Sequence, residues 1–280
     1  MKGLVLEGGS MRGMFSAGIM DVFMENGIEF DGAVGVSAGA VFGCNYKSKQ
    51  IGRAIRYNKR FCNDPRYASF RSLIKTGDIY GADFCYRQIP DELDVFDTET
   101  FSKNPMDFYV VATDMDTGKP IYHKCKDGKK EDIEWMRASA SMPLVSRTVK
   151  IGGYSLSDGG TSDSIPVKFM IRKGYDKIVV ILTQPEGFVK KKNKLIPIIK
   201  MTMRDKPSFI KAISERHKMY NKTLACIKKL EESGRILVIR PPEALDIGAV
   251  EHNPDELERV YRIGRKVGEE YLGKVKEYLL

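Results

Sequence analysis

Two short stretches hold residue types suited to acyl transfer, one around a serine and one around an aspartate. The run Gly32-Ala33-Val34-Gly35-Val36 breaks at Ser37 and resumes as Ala38-Gly39-Ala40-Val41. That pattern predicts a buried strand, a sharp turn and a helix, with Gly35 and Gly39 where a side chain would obstruct the turn. Such a turn pushes one hydroxyl out at the C-terminal end of the strand, the nucleophile elbow Gly-x-Ser-x-Gly. A hydroxyl nucleophile needs a base within hydrogen-bond reach. The three histidines, His123, His217 and His252, stand far apart in the chain, whereas Asp158-Gly159-Gly160 offers a carboxylate in a glycine-flanked turn. Taken alone, Asp-Gly is a hairpin dipeptide. As a base, Asp158 would need partial burial, because a model aspartate with a pKa of about 3.9 is weak near neutrality.

An attacked ester carbonyl becomes an oxyanion, and Gly8-Gly9-Ser10-Met11-Arg12-Gly13 supplies main-chain N–H groups at a helix start to receive it. Each such donor is worth about 3–4 kcal/mol in the transition state, and the helix dipole favours the same charge. Arg12 adds a positive charge or anchors the loop. The competing reading is a phosphate loop, since Gly8-x-Ser10-x-x-Gly13 is one residue from a dinucleotide fingerprint. It fails twice: serine replaces the middle glycine, and Asp31 precedes the second strand instead of following it. No Gly-Lys-Ser/Thr follows, so a triphosphate loop is excluded.

These pieces need a scaffold that alternates strands and helices. Lys2 to Glu7 reads as a first strand and Met11 to Glu25 as a helix stopped by Asn26-Gly27. A helical region from Ile51 to Phe61 precedes an irregular stretch to Leu93 rich in aromatics (Tyr67, Phe70, Tyr80, Phe84, Tyr86), read as core or a covering lobe in preference to a substrate wall. Met106 to Met115 is a strand, Gly118 to Cys125 its hairpin partner, and Ile133 to Ser141 a helix ended by Pro143. Val149 to Leu156 reads as strands broken by Gly152-Gly153, and Lys177 to Thr183 as a buried strand. Pro207 to Glu232 is helical, and Arg235 to Arg240 is a last strand. The terminal helix opens with Asn253 as N-cap, Pro254 as first residue and Glu256 as reciprocal cap. The expected fold is α/β: a three-layer α/β/α sandwich with a mostly parallel central sheet.

A chain of 280 residues, 42% hydrophobic, can bury a large core. It reads as a single domain over 1–280, with a catalytic core over about 1–183 and an extension over about 184–280. No apolar run has the length of a membrane span and no signal-peptide pattern opens the chain, so a cytoplasmic protein is expected. Five scattered cysteines without Cys-x-x-Cys spacing fit reduced thiols, and no His-Glu-x-x-His pattern marks a metal site. A net charge of +9 favours an anionic partner. With no helix-turn-helix, RNP or zinc-finger pattern, nucleic acid is not expected. Lys190-Lys191-Lys192-Asn193-Lys194 before Leu195-Ile196-Pro197-Ile198-Ile199 reads first as a solvated loop beside a buried apolar turn, and second as a stretch able to dock on an anionic membrane.

Four segments in chain order, Gly8 to Gly13, Gly35 to Gly39, Ala138-Ser139-Ala140-Ser141-Met142-Pro143 and Asp158-Gly159-Gly160, resemble the patatin-like phospholipases, above all their bacterial branch. Ala112 to Gly118 and Arg216-His217-Lys218-Met219-Tyr220-Asn221 also resemble segments of that branch, so the likeness spans nearly the whole chain. The resemblance implies a Ser37-Asp158 dyad, an oxyanion hole at Gly8, Gly9 and Ser10, and hydrolysis of acyl-ester lipids without a cofactor. Ser10 departs from the family, which usually has a third glycine there; its side chain stands at the hole. Two other readings stay open. One is an α/β-hydrolase triad or acyltransferase using Ser37 with His217 or His252, although His217 fits better a structural hydrogen bond to Tyr220 or Asn221. The other is a non-catalytic anion-binding module.

Overall fold

In the computed structural model, which describes all of residues 1–280, short apolar runs form the middle layer because parallel strands covered on both faces must be apolar throughout. The elements are β1 (Lys2–Leu6), α1 (Gly13–Glu25), β2 (Gly32–Val36), α2 (Ala38–Lys47), α3 (Arg53–Phe61), α4 (Phe70–Thr76), α5 (Thr98–Lys103), β3 (Asp107–Asp114) and β4 (Pro120–Lys124). There follow α6 (Lys130–Ser139), β5 (Val149–Ile151), β6 (Tyr154–Asp158), α7 (Val167–Arg172), β7 (Lys177–Ile181), α8 (Ile196–Thr202), α9 (Pro207–Glu232), β8 (Ile236–Ile239) and α10 (Pro254–Leu279). The sheet runs β5-β6-β3-β2-β1-β7-β8, with β4 also on β3. From β3 through β8 the pairs are parallel, while β4, β5 and β6 are antiparallel, so the sheet is mostly parallel as expected.

Alternation along the strands feeds two separate apolar clusters. Leu4, Leu6 and Ala33 face a large core with α1, α2, α6 and α10, whereas Val5, Val34 and Val36 face a smaller one with α7 and α9. Strands on either side of residue 183 share the sheet, because β8 pairs with β7 in parallel register. On the outer layer α10 lies against α1, where a Cβ on Gly264 would sit 2.0 Å from the Phe15 carbonyl oxygen. No helix is long and apolar enough to cross a membrane.

Several boundaries differ from expectation. The chain after β1 first makes a 3₁₀ turn over Ser10–Arg12, and α6 starts at Lys130, three residues before the apolar pattern begins. The stretch to Leu93 contains α4 and a π-helical segment, Phe84–Leu93, that absorbs Pro90. Pro197 sits in the first turn of α8, where its missing N–H goes unneeded. Asn253 caps α10 through the Asp255 N–H, but the reciprocal partner is Glu251, which accepts from the Asn253 N–H; Glu256 pairs with Arg259 instead.

Candidate active site

Register brings the two motifs together. On one edge of β3, β2 ends with Val36 opposite Val111, and antiparallel β6 ends with Asp158 opposite Ala112. Both lie on the same edge, because β4 takes the other: Tyr122 opposes Val111 and Ile121 opposes Ala112. Two strands therefore meet end to end at adjacent positions, about 3.3 Å apart along β3. Ser37 and Asp158 are the residues at that junction, and each is buried.

The elbow is strained and fastened. Ser37 has φ 53° and ψ −121°, a conformation that L-residues rarely adopt. A Cβ at Gly35 would lie 2.3 Å from the Gly39 carbonyl oxygen, and one at Gly39 would lie 2.5 Å from that of Leu6. Both must be glycine for the turn to close. The Ser37 N–H donates to Ser139 Oγ at 2.8 Å, and Ser139 Oγ donates to the Val111 carbonyl at 2.6 Å. Nothing in the sequence pattern marks Ser139 for this role. The neighbouring Ser141 carbonyl accepts the Asp158 N–H at 2.9 Å, so the Ala138–Pro143 motif holds both halves of the junction.

Asp158 is fixed at two further points, and the glycine after it is fixed by close packing. Its carbonyl accepts from Thr113 Oγ1 at 2.8 Å and its Oδ1 from the Gly160 N–H at 2.7 Å. A Cβ on Gly159 would lie 2.0 Å from the Val111 carbonyl oxygen. Burial raises the Asp158 pKa above the ordinary carboxylate value, opposed first by the positive charge of Arg216 and then by the Ser37 hydroxyl that faces it.

Beside the serine runs the Gly8 to Gly13 turn. A Cβ on Gly8 would stand 3.0 Å from Ser37 Cβ, and neither the Gly8 nor the Gly9 N–H is spent on another main-chain carbonyl. Thr183 Oγ1 donates to the Gly8 carbonyl at 3.1 Å, and a Cβ on Gly13 would meet the Phe42 ring at 2.8 Å. Ser10, in the departing position, has φ 49°, and its hydroxyl lies 3.7 Å from Met142 Sδ. Below the turn Glu7 is buried, which raises its pKa, while hydrogen bonds from Tyr220 and Thr183 lower it. Tyr220 Oη donates to Oε1 at 2.5 Å and the Thr183 N–H to Oε2 at 2.7 Å.

Ser10 and Ser37 open onto a cavity in which 17 of the 25 lining residues are hydrophobic. Tyr67, Tyr80 and Tyr86 are among them, so the aromatic stretch expected to be core or lobe is also a wall of the cavity. No histidine lines the cavity. His123 Nε2 pairs with Asp132, and His252 Nδ1 with the Cys62 carbonyl. His217 makes no hydrogen bond to Tyr220 or Asn221, as its Nδ1 is buried without a partner, Tyr220 serves Glu7, and Asn221 holds the Lys190 main chain. His123, Cys125 and Asp132 place donor atoms within 4.8 Å of one another. Asp132 Oδ2 is already taken by the N–H groups of Lys126, Asp127 and Gly128, which makes this cluster a loop clamp.

Comparison with known proteins places the chain in a family. The profile of patatin-like phospholipases matches residues 4–171, and a domain family of unknown function, DUF6363, matches 206–280. The chain is 28% identical to the uncharacterized protein YjjU of Escherichia coli K12, over 99% of this chain and 78% of that one. It is 26% identical to lysophospholipase nte1 of Aspergillus terreus over 98% of its own length, but it spans only 18% of that protein. Among solved structures, VipD from Legionella pneumophila superposes with a TM-score of 0.47 at 14% identity, covering 98% of this chain and 67% of VipD. The matched segment runs from β1 into α7 and takes in the elbow, the glycine turn and Asp158, and by it the chain belongs to the patatin-like phospholipase family.

Proposed function

We propose that the protein is a serine-dependent lipid acyl hydrolase of the phospholipase A or lysophospholipase kind, with Ser37 as nucleophile and Asp158 as its base. The observation that carries this reading is the end-to-end meeting of β2 and β6 on one edge of β3, which sets hydroxyl and carboxyl side by side beside free amides. Ser37 Oγ bonds to the acyl carbon as its proton passes to Asp158, and the carbonyl oxygen becomes an oxyanion held by the N–H groups of Gly8, Gly9 and Ser10. The ester C–O bond then breaks, and the alcohol leaves with the proton from Asp158. Water attacks the acyl-serine, gives its proton to Asp158 and releases the fatty acid, after which Ser37 recovers its proton. The apolar cavity suits the acyl chain. Burial supports the assigned base, since it raises the Asp158 pKa toward the working range.

The decisive experiment is turnover of p-nitrophenyl esters of graded chain length by wild type and Ser37→Ala side by side. Loss of turnover in Ser37→Ala is expected; persistence would assign another nucleophile. We place the reaction at a lipid surface, because Phe70 and Ile74 of α4, and Leu195 with Ile198 and Met201 of α8, are exposed, the last group beside exposed Lys191, Lys192 and Lys194. Cosedimentation with anionic vesicles that weakens at high salt is the expected result, and equal binding to neutral vesicles would overturn it.

A further inference from the structure

A group of charges beside the dyad makes no bond in the proposed hydrolysis. Arg12 on the glycine turn, Lys190 between β7 and α8, and Arg216 on α9 act on one another and on the buried carboxyls of Glu7 and Asp158. The two arginines act on these carboxyls through space, since the hydrogen bonds are already supplied by Tyr220 and Thr183 to Glu7 and by Gly160 to Asp158. Arg12 Nε and Arg216 Nε are buried and hydrogen-bond to nothing. Lys190 Nζ stands 4.9 Å over the centroid of the Tyr220 ring. Three cations thus share two carboxyls in a half-buried place, an arrangement that is unfavourable unless an anion completes it. The cluster borders the reacting groups: Arg216 Nη2 lies 2.8 Å and Asp158 Oδ1 2.9 Å from the point where a Cβ on Gly160 would stand. None of the three cations lines the apolar cavity.

We infer that Arg12, Lys190 and Arg216 form a subsite for a phosphomonoester group carried close to the scissile acyl ester, a specificity device that rests on the hydrolase reading above. A phosphomonoester is compact, nearly dianionic at neutral pH and rich in acceptor oxygens, which suits two guanidinium forks and one ammonium. A choline headgroup would bring a fourth positive charge to the same cluster. Lys190 and Arg216 both lie beyond the segment 4–171 that matches the family, so the C-terminal part of the chain sets this selectivity. Burial, then repulsion from Arg216 and Arg12, pushes the Lys190 pKa down to about 8, while Glu7 and Asp158 oppose the fall. Tyr220, the remaining titratable group facing it, is held protonated by burial and by Glu7. Preference for the phosphorylated ester therefore fades as pH rises through about 8, with hydrolysis of neutral esters not following.

The test compares kcat/KM of the full chain for 1-acylglycerol 3-phosphate, the monoacylglycerol and the 1-acylglycerophosphocholine of one acyl length, in wild type, Lys190→Gln and Lys190→Arg. Wild type is expected to prefer the phosphomonoester over the monoacylglycerol by about tenfold or more, given the strength of charge-assisted hydrogen bonds. That ratio should collapse in Lys190→Gln and return in Lys190→Arg. Fluorophosphonate labelling of Ser37 separates the two readings: labelled protein with no phosphomonoester preference overturns the ester-borne ligand alone and leaves the subsite to the phosphate test, and unlabelled wild type overturns the hydrolase reading with it. Inorganic phosphate is the second probe. If it raises Tm and slows neutral-ester hydrolysis in wild type but not in Lys190→Gln, without any substrate preference, the subsite stands and its ligand is a free anion. No effect of phosphate together with no preference overturns it.

Discussion

Two serines at this site hold positive φ, and the strain serves a purpose in only one of them. Ser37 at φ 53° has its hydroxyl at the mouth of the cavity beside Asp158, whereas Ser10 at φ 49° contributes only an amide and a weak contact to Met142. Such conformations cost about 1–3 kcal/mol in a non-glycine residue. Ser37→Gly should therefore raise stability by about 1 kcal/mol in denaturant unfolding while abolishing ester turnover. Ser10→Gly should leave Tm unchanged or higher and raise turnover of bulky esters, because the side chain beside the oxyanion amides is removed; a lower Tm would show that its Met142 contact matters more than its backbone strain. Arg216 belongs at the same scale. Its charge opposes the burial that raises the Asp158 pKa, and Asp158 can serve as the proposed base only when ionised. Arg216→Gln should thus move the acid limb of the kcat/KM profile to higher pH, a displacement that simple loss of packing would not produce. Sequence points to Ser37 and Asp158 as candidates because their residue types and glycine neighbours suggest a chemistry. Ser139, Lys190 and Arg216 carry no such mark; their part follows from which segments fold against β3 and β1. His217 shows the converse, since helical spacing to Tyr220 and Asn221 suggested a bond that both partners make elsewhere.

β3 is the platform on which the proposed active site depends. Its one edge receives the end of β2 and the end of β6 at consecutive residues, and the C-terminal turn of α6 ties the elbow to it through Ser139. Ser139 is fully buried, so Ser139→Ala leaves the Ser37 N–H and one bond to the Val111 carbonyl unmade. Roughly 2–4 kcal/mol of destabilisation follows from two such groups. A fall in kcat should accompany it with KM little changed, since the elbow loosens while the apolar cavity is untouched. An unchanged kcat would mean that the Gly35 and Gly39 contacts suffice to hold the turn. The strands themselves are legible in sequence because unbroken apolar runs have few other uses, and the hairpin partner of β3 is signalled by Gly118. Register is not legible, as nothing in Tyr154 to Asp158 says that its last residue pairs with Ala112. The stretch from Cys62 to Leu93 is hidden for another reason: its aromatics serve a core on one side and a cavity on the other, so no single period runs through it.

At the scale of the whole molecule, the outermost helix reaches the site through the one beneath it. α10 crosses α1 at glycines on both sides: a Cβ on Gly18 would lie 2.2 Å from the Tyr261 carbonyl oxygen, and one on Gly264 would lie 2.0 Å from that of Phe15. Backbones this close leave no flexible side chain to give way, so a single methyl must push the helices apart. We take residues 1–280 as one folding unit for this reason, and because β8 completes the sheet that β1 and β2 begin. The start of α1 follows directly on the Gly8 to Gly13 turn, whose amides need correct aim to within a fraction of an ångström. Gly264→Ala is therefore expected to destabilise by about 3 kcal/mol, the upper part of the range for overpacking, and to lower Tm by roughly 6 °C or more. It should also slow fluorophosphonate labelling of Ser37 at temperatures where the protein is still folded, since Phe15 lies two residues into α1 and its displacement tilts the turn. Gly273→Ala, in the same helix where a Cβ would meet nothing within 4 Å, provides the comparison: a change in helix propensity alone should stabilise slightly and leave labelling unaltered. If both variants behave alike, the crossing of α10 over α1 has no hold on the glycine turn.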